Sequence, residues 1–219
     1  MKIAVLGTGM VGETIGAKLV ALGHEVRMGS RTATNEKAAA WVKKTGSKAS
    51  AGTFADAAAF GELVFNCTLG SGAVEALVMA GEGNLAGKVV IDVSNPLDFS
   101  KGMPPSLFVS NTDSLGEQLQ RRFPKAHVVK ALNTMNCNIM VNPRLLADTH
   151  HTFLSGNDAG AKAKVKDVLK QFGWKDEELV DLGDITTARG TEQILPLWVR
   201  IWGATQNGTF NFKLVFAKQ

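Results

Sequence analysis

Apolar residues in the first half of the chain arrive in two rhythms. Short, β-branched runs at Lys2–Leu6, 25–28, Leu63–Asn66 and Val89–Asp92, with a shorter one at 48–51, have the length and near-continuous hydrophobicity of strands in a sheet covered on both faces. Between them, the stretches 10–22, 35–44, 53–60 and Ala73–Ala80 space their apolar residues as helices do. Strand followed by helix, repeated, predicts βα units. The fold class is therefore α/β, a Rossmann-like, doubly wound, mainly parallel sheet whose crossovers cover both faces.

The rhythm continues less regularly in the second half. Residues 127–130 predict a further strand, followed by a loop or helix start over 132–138. Ser114 and Glu117 have capping-box spacing, which opens a helix running to Arg122 and stopped before Pro124. Strands are expected at 153–155 and 178–181, separated by the basic helix Ala159–Phe172, with Gly173 in the position that ends it. Over 191–205, Ile194, Leu195, Leu197, Trp198, Ile201 and Trp202 make a broad apolar stripe that predicts one helix packed on the body or on a second subunit. The last run, 210–216, alternates Phe210, Phe212, Leu214 and Phe216 with polar or small residues and reads as a half-buried strand. These elements make a small C-terminal helix and strand extension.

Composition changes this picture little. The 219 residues are 45% hydrophobic and 20% charged, enough apolar material for a real core. The net charge of +4 is dispersed among acidic residues, without clustered Arg and aromatic side chains, so nucleic acid is not an expected partner. Cys67 and Cys137 are the only cysteines and read as buried free thiols, not a disulfide framework. The N-terminus enters a strand at once, and no apolar run approaches the roughly 20 residues of a membrane span, so a cytoplasmic location is expected.

Candidate chemistry starts at the end of the first strand, with Gly7-Thr8-Gly9-Met10-Val11-Gly12. Gly7 permits the tight turn, Gly9 lets a diphosphate approach the backbone, and Gly12 lets the helix pack close to the strand. Free N–H groups at the helix start then face the diphosphate, aided by the helix dipole. A strand before and a helix and second strand after make this a dinucleotide-binding turn. The second strand ends in Met28-Gly29-Ser30-Arg31-Thr32, where an acidic residue would bind the 2′-hydroxyl of NAD or of a flavin dinucleotide. Ser30, Arg31 and Thr32 offer hydroxyls and a guanidinium fork suited to a 2′-phosphate, which selects NADP.

Three other strand ends complete a candidate cofactor site, because ligands in open α/β sheets lie beyond the carboxyl ends of the strands. They carry Thr68, Leu69 and Gly70; Ser94, Asn95 and Pro96; and Ala131, Leu132 and Asn133. They predict a floor and wall for the ribose and nicotinamide, with Asn95 and Asn133 as hydrogen-bonding partners. No spacing suggests a metal site, no GxSxG elbow is present, and Tyr is absent, which excludes a Tyr–Lys proton donor. No catalytic acid or base is assigned. Reduction of a ketone usually wants one, whereas hydride exchange with a flavin-like ring mainly needs two rings held at reacting distance.

The chain resembles the NADPH-dependent coenzyme F420 reductases (F420:NADP oxidoreductase-like proteins). The resemblance is carried by the Gly7-to-Gly12 turn, Leu22-Gly23-His24-Glu25-Val26, Gly29-Ser30-Arg31, Val90-Ile91-Asp92-Val93-Ser94-Asn95-Pro96, Ser114-Leu115-Gly116-Glu117-Gln118-Leu119-Gln120 and Val128-Val129-Lys130-Ala131-Leu132-Asn133-Thr134. It departs from the family at Leu69-Gly70-Ser71-Gly72, where a bulkier Pro-Trp-type segment is expected. The resemblance implies that Thr8, Met10, Val11, Ser30 and Arg31 hold NADP, that the segments around Asn95 and Asn133 shape the nicotinamide pocket, and that hydride passes to a deazaflavin. It also implies two parts, an NADP-binding domain over 1–155 and a small α/β part over 156–219 packed on it to form the acceptor cleft. The expected partner is a small-molecule or flavin-like electron acceptor, and a homodimer is expected. Two alternatives stay open: a reductase of a small carbonyl or imine, which wants a Lys or acid in the cleft (Lys130 is the nearest basic residue), and a non-catalytic NADP sensor.

Overall fold

The structure is a computed structural model that describes residues 1–217. Among the described residues ten strands form, β1 (Lys2–Leu6), β2 (Glu25–Ser30), β3 (Ala49–Thr53), β4 (Leu63–Asn66), β5 (Val89–Asp92), β6 (Leu97–Asp98), β7 (Ser106–Leu107), β8 (His127–Ala131), β9 (Thr152–Ser155) and β10 (Leu179–Gly183). Ten helices accompany them: α1 (Met10–Ala21), α2 (Glu36–Thr45), α3 (Phe54–Phe60), α4 (Ala73–Ala80), α5 (Glu82–Leu85), α6 (Leu115–Arg122), α7 (Cys137–Val141), α8 (Ala159–Phe172), α9 (Ala188–Gln193) and α10 (Leu195–Thr205). Eight strands make one sheet in the order β10-β9-β8-β5-β4-β1-β2-β3, parallel throughout except where β8 meets β9. This is the doubly wound Rossmann-like arrangement. No helix among the described residues is long and apolar enough to cross a membrane.

Strand periodicity divides the core into two layers. Ile3 and Val5 of β1 face one side and pack with Ile15, Leu19, Trp41 and Phe172 from α1, α2 and α8. Ala4 and Leu6 face the other and pack with Phe54, Ala57, Leu77 and Leu119 from α3, α4 and α6. Burial on both faces is why the strands read as apolar runs instead of alternating ones.

Side-chain caps fix several helix starts. Asn35 accepts from the Ala38 N–H at 3.0 Å, Thr53 and Asp56 form a reciprocal capping box, and Asp158 accepts from Ala161 at 2.6 Å. Ser114 accepts from the Glu117 N–H at 3.1 Å, as its spacing predicts. The start of α1 has no such cap.

Two expectations for the C-terminal extension are corrected. The helix expected over 191–205 is divided into α9 and α10, with Pro196 in the first turn of α10. Lacking an N–H, Pro196 suits a helix start and not its interior. The run 210–216 forms no strand. Its Phe212 carbonyl accepts from the His151 N–H at 3.0 Å, just before β9, a strand already flanked by β8 and β10. With no free sheet edge beside it, the run is held by side chains: Phe210 stacks on Trp198 at 5.2 Å between ring centroids, and Asn211 donates to the His151 carbonyl at 2.9 Å. The hairpin β6–β7, which no apolar pattern announces, is an addition to the expected fold.

The glycine turn tests this packing directly. A Cβ on Gly12 would lie 2.1 Å from the Gly7 carbonyl oxygen, while one on Gly9 meets nothing within 4 Å. In chemical denaturation, Gly12→Ala is expected to lose about 1–3 kcal/mol, because the clash is with backbone. Gly9→Ala should stay within about 0.5 kcal/mol of the parent; equal losses would place the constraint elsewhere.

Candidate active site

The ends of β1, β2, β4, β5 and β8 converge on one side of the sheet, and every residue predicted for the site sits there. At the end of β1, Gly7 adopts φ +117°, a backbone region that favours glycine, and its N–H donates to Gly29 at 3.0 Å, tying the turn to β2. A Cβ on Gly7 would stand 2.6 Å from the Cys67 carbonyl oxygen, so the turns after β1 and β4 are in direct contact. Gly9 and Met10 are exposed, and Thr8 and Val11 are partly so. The N-terminal N–H groups of α1 have no side-chain cap and face open space over Gly9, the arrangement that binds a diphosphate.

The end of β2 meets the loop after β4. Arg31, Thr68, Leu69 and Phe54 line a cavity of about 220 Å³, with Glu75 and Met79 of α4 on its far wall. Arg31 is exposed and makes no ion pair among the described residues. Glu25 lies at the other end of β2, beside Lys2 in the strand register and roughly 16 Å from Ser30 along the strand. Ser30 is buried, and its hydroxyl donates to the Thr32 carbonyl at 2.5 Å. It therefore shapes the turn that presents Arg31. Of the three residues predicted to meet a 2′-phosphate, Arg31 and Thr32 are accessible and Ser30 is turned inward.

The ends of β4, β5 and β8 are held by one polar network. The Asn66 amide donates to Asp92 at 2.8 Å, and its own oxygen accepts from the Thr68 hydroxyl at 2.7 Å. Asp92 also accepts from the Ser94 N–H and hydroxyl, at 3.1 and 2.6 Å. Asn95 donates to the Asn133 carbonyl at 2.8 Å, and Asn133 donates back to the Asn95 side chain at 2.9 Å. The two asparagines predicted to form the wall are thus paired with each other. Gly70 is confined beneath them: a Cβ there would lie 1.9 Å from the Asn95 carbonyl oxygen. That contact is the physical reason for a glycine where a bulkier segment is expected. Leu132 takes φ +64°, a strained conformation for leucine, at the exit of β8.

Lys130 does not enter the cleft. It is 1% exposed, with its ammonium 2.5 Å from Asp92, 2.8 Å from Glu192 and 2.8 Å from the Ser94 carbonyl. Burial works to lower its pKa, but the two carboxylates outweigh that and raise it, so it stays protonated. Neither Glu192 nor Asp92 is among the residues predicted for the site, yet both meet Lys130 beside it. A signal existed: Asp92 and Lys130 are opposite charges within otherwise apolar strands, and they stand side by side in register. Cys67 is buried, which pushes its thiol up and removes it as a nucleophile.

A second hollow opens on the other side of the loop after β4. It measures about 650 Å³ and lies between Leu69, Gly70 and Ser71 and the hairpin residues Leu97, Phe99 and Phe108, with Gln118 at its edge. Asp98 reaches it too, but hydrogen bonds from Ser100 hold its carboxyl below the usual range. It is therefore ionised at neutral pH and donates no proton.

The family model described as NADP oxidoreductase, coenzyme F420-dependent, matches residues 2–96. The crystal structure assigned to an F420-dependent NADP reductase from Arthrobacter sp. FB24 is 52% identical, covers 99% of this chain and 100% of its own, and superposes with a TM-score of 0.92. The chain belongs to the F420-dependent NADP oxidoreductase family. The metalloreductase STEAP3 of Rattus norvegicus is 27% identical over 203 residues, which are 90% of this chain but only 38% of that protein. A reductive aminase from Aspergillus terreus, solved with NADPH and ethyl levulinate, is 22% identical with a TM-score of 0.64 over 94% of this chain and 62% of its own, a likeness of fold alone.

The position of Arg31 leads to a direct test. Arg31→Ala should weaken NADPH by at least about 10-fold, in line with loss of a charge-assisted phosphate contact, while leaving NADH nearly unchanged. Titration calorimetry with both nucleotides checks it, and equal losses would refute the phosphate contact.

Proposed function

We propose that the chain binds NADP(H) across the ends of β1, β2, β4, β5 and β8 and exchanges hydride with a planar deazaflavin, flavin or related diffusible acceptor. The N–H groups of α1 hold the diphosphate, Arg31 and Thr32 meet the 2′-phosphate, and the Asn95–Asn133 pair walls the nicotinamide end. NADP(H) supplies the hydride at the nicotinamide C4. The acceptor ring occupies the hollow between the loop after β4 and the β6–β7 hairpin, where Leu69, Phe99 and Phe108 offer apolar surface. Leu69 and Phe99 are 63% and 46% exposed, unusual for such residues unless something covers them.

The observation that carries this reading is that the two ionisable groups at the wall and the hollow, Lys130 and Asp98, are unavailable as acids. Lys130 is sealed in its ion cluster, the two asparagines satisfy each other, and Asp98 is held ionised. A carbonyl or imine reductase wants a protein acid for the developing charge on oxygen or nitrogen. A ring acceptor delocalises that charge and takes its proton from solvent, so orientation suffices.

The reading extends to assembly and location. Exposed Leu197 and Trp202 on α10, with Val215 and Phe216 in the tail, support a homodimer that covers this surface. Two free cysteines suit a reducing cytoplasm, where NADPH is available.

Stopped-flow oxidation of NADPH against F420, FMN, FAD, quinones and ferric chelates identifies the acceptor, with a deazaflavin or flavin expected to be fastest. Turnover should show no lysine limb between about pH 6 and 9, because the raised Lys130 keeps its proton throughout that window. A limb there, or faster turnover with ketones or imines, would favour the carbonyl or imine reductase.

A further inference from the structure

The ion cluster behind the cleft ties β5, β8, α6 and α9 together beside the Asn95–Asn133 pair. Lys130 donates to the Ser94 carbonyl, immediately before Asn95, and pairs with Glu192, immediately after Thr191. Asn133 donates from one amide nitrogen to both Asn95 and the Thr191 carbonyl, at 2.9 and 3.1 Å. The ammonium therefore spans the neighbours of both groups that hold Asn133. Glu192 completes the clamp by accepting from the Leu115 and Gly116 N–H groups at 2.8 and 2.9 Å, which ties α9 to the first turn of α6. Arg189, on the same short helix, forks onto Glu117 with bonds of 2.8 and 2.6 Å.

This arrangement is over-determined. Glu192 is 1% exposed and its carboxylate receives three donors, while the ammonium of Lys130 faces three acceptors. A buried network of this kind is rigid because a small shift leaves a charge unpaired. Its rigidity is applied next to Leu132, whose left-handed backbone aims Asn133 at Asn95 and needs such support. Asn95 alone of the pair is partly accessible; Asn133 is 2% exposed.

We propose that Glu192, which touches neither cofactor nor acceptor, is a positioning residue for hydride transfer. Through Lys130 and Thr191 it sets the place of the Asn95–Asn133 pair, and with it the angle at which the wall receives the carboxamide side of a nicotinamide ring. The C-terminal segment thereby governs the reacting end of the cofactor site, while the phosphate end, built on α1 and Arg31, stands apart from it. This inference rests on the NADP(H) reading above.

Glu192→Gln tests it. The amide keeps the shape but turns an NH2 group toward Lys130 or the backbone N–H donors of α6. NADPH affinity, measured by calorimetry, should stay within about 3-fold, because the phosphate contacts are untouched. Single-turnover hydride transfer should fall on the order of 10-fold, the cost of a misplaced reacting ring. The emission of bound NADPH, which arises from the nicotinamide, should shift as well. Combined with Asn133→Ala, the loss should not exceed that of the slower single variant, since both act through one contact.

Unchanged hydride transfer, or additive losses in the double variant, would overturn the assignment. So would affinity and rate falling together. If Glu192→Gln does not fold, Arg189→Gln loosens the same clamp from its partly exposed edge and should slow transfer about 2- to 3-fold at unchanged affinity; unchanged transfer there also overturns it. A parent protein that binds NADPH but reduces no acceptor would sink the functional reading alone, and the emission of bound NADPH would still decide the role of Glu192.

Discussion

The ammonium of Lys130, shut between Asp92 and Glu192, is the constraint on which the cleft side of the molecule rests. One cation and two carboxylates leave an excess negative charge, met by N–H groups from Leu115, Gly116, Ser94 and the Asn66 amide. A buried pair is a poor source of stability by itself, because desolvation consumes most of the Coulomb gain. Its value lies in the cost of breaking it: removing one partner strands a charge and costs about 3–5 kcal/mol. The ends of β4, β5, β8, α6 and α9 all contribute groups to this network, which lies directly against the Asn95–Asn133 pair.

The candidate cofactor site is built by two different means. Its phosphate end relies on backbone: a glycine turn with no side chain over Gly9, and a helix start without a side-chain cap. Such a surface suits a diphosphate, and in the proposed site Arg31 adds the distinction between phosphorylated and plain dinucleotide. The nicotinamide end relies on side chains locked to one another across distant segments. Tight binding and correct ring placement are thus separate problems in this fold. Catalysis by orientation depends on the second, where an error of an ångström is expensive.

The hairpin β6–β7 bounds one side of the hollow proposed for the acceptor. It stands across from the loop after β4, and Gly70 allows that loop to lie directly against the Asn95 carbonyl. The space saved becomes the hollow of about 650 Å³ between Leu69, Phe99 and Phe108. A bulky residue at position 70 would instead displace the backbone that carries Asn95.

Much of this protein is legible without coordinates. Strand runs and helix periods specify the doubly wound sheet, because burial on both faces leaves a local imprint that neighbours in sequence share. The turn from Gly7 to Gly12 and the missing acid after β2 are local as well, so the NADP family is written in a few adjacent residues. The tail is not legible: 210–216 alternates like a strand, but the sheet offers it no edge, and packing of Phe210 on Trp198 takes over. Glu192 is equally hidden. Its partners Lys130, Gly116 and Leu115 lie 62, 76 and 77 positions away, and nothing near it in sequence requires a buried acid. Local pattern decides which elements form and which backbone binds phosphate; only the meeting of remote strand ends decides which charges neutralise each other, because that energy exists only once water has been excluded from between them.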